Sequence, residues 1–118
     1  MSYDLYLKDK DTGETIHLEN EHHLGGGTQA IGGTTEAWLN ITYNYSGIFT
    51  KVLGEKGIRS IYGLTGVESM PILAKAIAQL GNDIDEDYWK PTEGNVKAAL
   101  VNLIVLACFA PHGIWSGD

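Results

Sequence analysis

Basic residues, cysteine and long apolar segments are scarce in this chain, and each scarcity excludes a class of protein. Eight Lys and Arg residues stand against fifteen Asp and Glu residues, which gives a formal net charge of −7. Because binding to a nucleic-acid backbone requires a basic face, we expect no direct contact with one. The acidity is compatible with solubility, with a basic protein partner, or with imitation of the charge of a nucleic acid.

The single cysteine, Cys108, excludes a disulfide bond within the chain. It lies inside an apolar run, so we expect it to behave as a buried small hydrophobic residue. The N-terminal residues contain neither a basic nor an apolar segment, which predicts no signal peptide and a cytoplasmic location. The longest apolar run, residues 98–110, is shorter than the roughly 18 residues that a membrane-spanning helix needs.

That run, AALVNLIVLACFA, is apolar at twelve of its thirteen positions. A surface helix would carry polar residues every three or four positions, so the pattern predicts a central helix that other elements surround. Thr92 favours a helix start and Pro111 favours a helix end, which places this helix over about residues 92–110. We expect Asn102, the polar exception, to bond a loop carbonyl, because a buried amide must be satisfied.

The remaining elements follow from the spacing of apolar residues. Apolar residues alternate on both sides of an Asp-Thr-Gly turn, which predicts a β-hairpin over residues 3–19. A glycine-rich loop at residues 22–35 follows, and helical spacing predicts further helices over about residues 35–53 and 69–80. The predicted fold is a single α+β domain, residues 1–118, that is mostly α. About three main helices are arranged around the central apolar helix, with the hairpin at the N-terminus.

The glycine-rich loop is the least ordinary segment, with five glycines among the nine residues from Gly25 to Gly33. So many glycines are entropically costly unless the backbone needs unusual dihedral angles or must approach something closely. Residues 27–34 have the spacing of a P-loop, but Gly33 stands where the phosphate-binding lysine belongs, which excludes a P-loop NTPase. Glycine N–H groups at a helix start can still hold an anion or a polar ligand. The alternative is a tightly turned connector.

Two histidines and one helix face extend the candidate site. His22 and His23 are adjacent, so in an extended segment they point to opposite sides and do not chelate a metal together. A metal would need other side chains to converge: His17, His112, Glu19 or Glu21. Opposite the core face of the predicted helix over 35–53, polar and aromatic residues suit the wall of a ligand pocket or a protein interface. The candidate ligand-binding residues are His22, His23, Gly25, Gly26, Gly27, Thr28, Thr34, Thr35, Glu36, Asn40 and Tyr43.

Four segments resemble a family of small, uncharacterised accessory proteins of bacteriophages and prophages: HHLGGGTQAIGGTTEAWLNITYNY, GIRSIYG, DYWKPTEGN and PHGIWSGD. The likeness runs nearly end to end, and it carries no catalytic residues because that family has no established activity. The resemblance implies an accessory phage protein in the cytoplasm of a bacterial host. Small acidic phage proteins often act by stoichiometric binding, as do inhibitors of CRISPR nucleases and proteins that sequester nucleotide signals of host immunity.

The candidate site residues and the resemblance to phage accessory proteins together favour a non-catalytic binding protein. Such a protein would antagonise host defence by capturing a host protein or a small polar, nucleotide-like ligand. One alternative is a small hydrolase or transferase that uses His22 or His23 as a general base with Glu36 as its partner. Another is a structural or self-assembling phage component, for which Trp89 and Trp115 would be contact residues. We expect no cofactor, no metal and no membrane contact, and a homo-oligomer is compatible with the pattern.

Overall fold

The computed structural model describes residues 1–28 and 32–118, and its fold is α+β with three helices, as the sequence predicts. The strands of this described part are Ser2–Lys8 (β1), His17–His22 (β2), Thr34–Glu36 (β3), Trp38–Thr42 (β4) and Ile114–Gly117 (β5). Its helices are Ser46–Leu53 (α1), Gly66–Ala78 (α2) and Glu93–Phe109 (α3), with short 3-10 helices at Tyr43–Tyr45 and Gly57–Ile61. None of the helices so described is long and apolar enough to span a bilayer.

The central sheet is antiparallel, with β1 between β4 and β5. Its register places apolar residues opposite one another, since Leu5 faces Leu39 and Leu7 faces Trp115. Side chains alternate across a strand, so these four residues share one face of the sheet, and all of them are buried in the core. The opposite face carries polar residues such as Asn40 and contributes to the candidate site described below.

Helix α3 packs against α2 and also contacts α1 and β4. Its start agrees with the expected cap, because the Thr92 hydroxyl oxygen accepts a hydrogen bond from the Asn95 N–H at 3.1 Å. The expectation that other elements surround this helix fails on one face only, where Val101 is 42% exposed and Phe109 is 56% exposed. Cys108, expected to be buried, is exposed as well. A helix that is apolar on every face carries no pattern to indicate which face its neighbours leave uncovered.

The predicted helix over residues 35–53 is wrong in its first half, because only Ser46–Leu53 forms the α-helix and two strands precede it. Leu39 and Ile41 are fully buried while Asn40 between them is only partly buried, so burial alternates with a period of two. The segment WLNIT is rich in β-branched and aromatic residues, which suit a strand. Pairing with β1 therefore outweighs the helical spacing that the same apolar residues also satisfy.

Helix α2 begins earlier than the predicted residue 69 because Thr65 is its true cap. The Thr65 hydroxyl oxygen accepts from the Glu68 N–H at 3.1 Å, and the Glu68 carboxylate accepts from the Thr65 N–H at 2.9 Å. Ser69 lies inside the helix, is buried, and accepts a hydrogen bond from Trp115 Nε1 at 2.8 Å. Trp115, expected as a contact residue in the self-assembly alternative, is therefore part of the core.

The predicted hairpin over residues 3–19 forms only around its turn. The Ile16 N–H donates to the Leu7 carbonyl at 3.0 Å, but beyond this point the two strands separate. β1 pairs with β4 and β5, whereas β2 pairs with β3. β4 is the better partner for β1 because its apolar residues Leu39 and Ile41 are fully buried in the core, whereas the apolar residue of β2, Leu18, is only half-buried.

Candidate functional site

The described residues between 17 and 36 contain β2, part of the glycine-rich loop and β3, and we call them the arm, because the chain leaves the rest of the fold at one end of this range and rejoins it at the other. The arm is closed at its base, where the Ala37 N–H donates to the Ile16 carbonyl at 2.8 Å. Within the arm, β2 and β3 pair only at His17 with Glu36 and at His22 with Thr34. The backbone of β2 between these two pairs therefore bulges away from the ladder. We call the remainder of the described chain the body.

The first half of the glycine-rich loop is held against the body by hydrogen bonds. The Gly26 N–H donates to the Asn40 carbonyl at 2.9 Å, and the Thr42 N–H donates to the Gly26 carbonyl at 2.8 Å. This short parallel bridge follows the edge of β4. Asn102 of α3 donates its side-chain N–H to the Gly25 carbonyl at 2.7 Å, which is the loop-carbonyl contact expected of that residue. The loop therefore lies against both the sheet and the central helix.

Packing and dihedral angles explain two of the loop glycines but not a third. A Cβ atom at Gly26 would lie 2.8 Å from Ile41 Cγ1 and 2.9 Å from Ala99 Cβ, closer than such atoms approach. Gly27 has a φ of +69°, a conformation that favours glycine. Gly25 has neither constraint, since the nearest atom to an added Cβ would be 3.7 Å away. The connector interpretation therefore accounts for Gly26 and Gly27 and leaves Gly25 unexplained.

A cavity of about 300 Å³, which we call the loop cleft, opens where this loop meets the body. Its lining residues are His23, Leu24, Gly25, Gly26, Gly27, Thr28, Trp38, Asn40, Tyr88 and Asn102. None of these residues is acidic, although the chain contains fifteen acidic residues. Two aromatic rings, two amides and a glycine backbone are a combination typical of small-molecule sites.

Five of the predicted ligand-binding residues are not among those lining the cleft: His22, Thr34, Thr35, Glu36 and Tyr43. His22 is buried, with its Nδ1 accepting from the Leu24 N–H at 3.1 Å and its Nε2 donating to the Glu36 carbonyl at 2.7 Å. Both ring nitrogens are used within the fold, so neither is available to a substrate. Tyr43 packs edge-on against Tyr3, with ring centroids 4.4 Å apart. These two residues support the fold around the cleft.

The polar and aromatic face predicted for the helix over residues 35–53 consists of Glu36, Asn40, Tyr43 and Gly47. It does not form as one face, because Glu36 and Asn40 lie in strands, where the helical spacing does not apply. On the strand, the Asn40 side-chain N–H donates to Asp4 Oδ1 at 2.8 Å, and Trp38 Nε1 donates to the same oxygen at 3.1 Å. The Asn40 carbonyl meanwhile holds the loop. Asn40 therefore positions the wall of the cleft, and its amide hydrogens are already engaged.

Trp38, Tyr88 and Asn102 line the cleft but were not among the predicted site residues. In the helix predicted over residues 35–53, Trp38 would lie on the core face, but this part of the chain is a strand. The sequence predicts only a structural role for Asn102. Tyr88 follows an acidic segment distant from the loop in sequence, and its carbonyl accepts a hydrogen bond from the Tyr45 hydroxyl. No local pattern connects Tyr88 to the loop, because only the tertiary fold brings the two segments together.

A larger cavity of about 540 Å³ opens between β2 and the C-terminal end of α3, and we call it the acidic pocket. It shares no lining residue with the loop cleft. The four side chains considered as additional metal ligands all line it: His17, Glu19, Glu21 and His112. They do not converge, because within residues 1–28 and 32–118 no three His, Cys, Asp or Glu side chains are grouped to hold a metal ion.

No family model matches the chain, and neither a curated protein nor a solved structure was found to be similar to it.

Proposed function

We propose that this protein is a non-catalytic binding protein that captures a small polar, nucleotide-like ligand in the loop cleft. The resemblance to phage accessory proteins suggests where it acts, namely in the cytoplasm of a bacterial host and against a component of host defence. Stoichiometric capture needs a cleft with directional polar groups and a surface for a flat ring, and it needs no catalytic residues.

The observation that carries the proposal is the chemistry of the cleft lining. Aromatic side chains such as Trp38 and Tyr88 stack on the flat rings of nucleobases with little dependence on the base. Asn102 already donates to the Gly25 carbonyl, and the N–H and carbonyl of Gly26 bond β4. The Asn102 side-chain oxygen and the N–H groups of Gly25 and Gly27 make no hydrogen bond within the described residues and can select the edge of such a ring.

The enzyme alternative requires His22 or His23 to act beside Glu36. Both ring nitrogens of His22 are engaged within the fold. His23 is exposed and lines the cleft, but Glu36 is not among the lining residues. Neither histidine therefore has the carboxylate partner that the alternative assigned to it, which favours binding over turnover.

Native mass spectrometry of the protein purified from a bacterial lysate tests whether it retains a ligand. We expect a bound small molecule that is released on denaturation and absorbs ultraviolet light as a heteroaromatic ring does. A protein that carries no small molecule and instead retains a host protein, or forms a defined multimer, would contradict capture in the cleft.

Replacement of Tyr88 by alanine tests the location of the site. Tyr88 is 45% exposed and its fold contact is made by the backbone carbonyl, so Tyr88→Ala should keep the fold. Loss of one stacking ring should weaken ligand binding by about tenfold or more. Phe109→Ala is the matched control, because Phe109 is also aromatic, is 56% exposed and does not line the cleft. Equal losses in the two variants, measured by calorimetry with the released ligand, would contradict the assignment to the cleft.

A further inference from the structure

One wall of the acidic pocket is a continuous segment of β2 and the residue before it. Every residue from Ile16 to Glu21 lines it, whereas a regular strand would turn only alternate side chains toward one cavity. The bulge in β2 explains this continuous wall, because the backbone between His17 and His22 leaves its ladder with β3. The opposite wall is the C-terminal end of α3 and the residues that follow it.

The pocket also contains apolar surface that the fold leaves uncovered. Phe109, at the end of α3, lines the pocket and is 56% exposed. Ile16 and Leu18 on the opposite wall are only partly buried, and Pro111 adds further apolar surface. A pocket of about 540 Å³ with this lining has room for a large apolar side chain.

The rim of the pocket is strongly negative. Asp9, Asp11, Glu19 and Glu21 line it, against a single lysine, Lys10. Neither of the ion pairs formed within the described residues involves any of them, so these carboxylates are not neutralised by a neighbouring cation. The N–H groups of Thr12 and Asp11 bond the Asp9 carboxylate and lower its pKa, so this group stays ionised at neutral pH.

We propose that the acidic pocket docks an extended basic segment of a partner protein. One large apolar side chain of that segment inserts beside Phe109, and the Lys or Arg residues that flank it pair with Glu19 and Glu21. Charge complementarity favours this occupant over a second copy of the chain, because each copy has a net charge of −7 and would be repelled. The inference is independent of the ligand in the loop cleft, since the two cavities share no residue.

A fluorescein-labelled synthetic peptide tests the proposal by fluorescence anisotropy with the full chain. The peptide alternates lysine and arginine with leucine around a central phenylalanine. Two control peptides separate the contributions: one replaces the apolar residues with serine, and the other replaces the basic residues with glutamate. We expect measurable binding of the first peptide alone, weakening as salt is added. Equal binding of the serine peptide would contradict insertion of an apolar side chain.

Variants of the protein locate the contact. Glu19→Gln combined with Glu21→Gln should weaken peptide binding by about tenfold, since two charge pairs are lost. Phe109→Ala should weaken it by about tenfold or more, because the buried ring contact is lost. The matched control is Glu55→Gln combined with Glu86→Gln, which removes the same charge from exposed residues outside the pocket. If the two charge variants weaken binding equally, binding depends only on the net charge of the protein, and the proposal is overturned.

Two further measurements distinguish other occupants. If spermidine displaces the peptide when both are at the same molar concentration, the pocket is a site for small cations and the proposal is overturned. A concentration-dependent dimer in light scattering that Phe109→Ala abolishes would assign the pocket to a second copy, with the same consequence. Tyr88→Ala, which removes a wall of the loop cleft, should leave peptide binding unchanged, so failure of this proposal and failure of the proposed function are distinguishable.

Discussion

The body and the arm of this protein are held together by different forces. In the body, Leu5 and Leu39 face each other across the sheet, and Leu103 of α3 is fully buried in the same core. In the arm, the bulged part of β2 buries no side chain fully, and the loop is held by hydrogen bonds such as the one from Asn102 to Gly25. Both cavities are lined by arm residues placed against the body. The residues that stabilise the fold and the residues that line the two cavities are therefore largely different.

The largest expected effect compares one leucine from each region. Leu103→Ala, in the body, should lower the free energy of unfolding by about 2–5 kcal/mol because it leaves a cavity in a filled core. Leu18→Ala, in the arm, should lower it by less than about 1 kcal/mol, because Leu18 is only partly buried and the site can relax. Chemical denaturation of both variants measures the difference. Equal losses would show that the arm is as much a part of the cooperative core as α3.

A pair of glycines tests where the arm and the body are in tight contact. Gly26→Ala forces a methyl group against Ile41 and Ala99 and should destabilise the fold by about 1–3 kcal/mol. Gly25→Ala is the control, because the nearest described atom to its added Cβ would be 3.7 Å away and its φ is not in the left-handed region. It should be neutral or stabilise the protein by up to about 1 kcal/mol through the unfolded state. Thermal unfolding of the two variants is sufficient, and a Gly26→Ala variant as stable as the parent would contradict the close approach.

The smallest of these effects on stability concerns the tie between Asn102 and the loop. Asn102→Ala removes the donor to the Gly25 carbonyl and should cost about 1 kcal/mol or less, since alanine is also the better helix former. Amide exchange at Gly26, whose N–H bonds Asn40, should increase, while exchange in the middle of α3 should not. Unchanged exchange at Gly26 would mean that the bridge to β4 alone holds the loop.

Local signals in the sequence were enough for several elements. The alternation of β1, with Leu5 and Leu7 on one face, agrees with the observed burial, and Thr92 caps α3 as expected. The same reasoning failed at residues 38–42, where the apolar spacing fits both a helix and a strand. It also failed for the uncovered face of α3, because an apolar run without polar positions contains no information about its neighbours.

The α+β class, the acidity, the apolar helix near the C-terminus and the unusual glycine loop can all be read from the sequence, because they follow from composition and from the spacing of neighbouring residues. The packing of Gly26 on β4 and the meeting of Trp38, Tyr88 and Asn102 at the cleft follow only from the folded arrangement. The same is true of the acidic pocket that β2 and the end of α3 enclose. Strand pairing and core packing bring together residues that are dozens of positions apart in the sequence. No local pattern specifies which of the distant segments will be in contact.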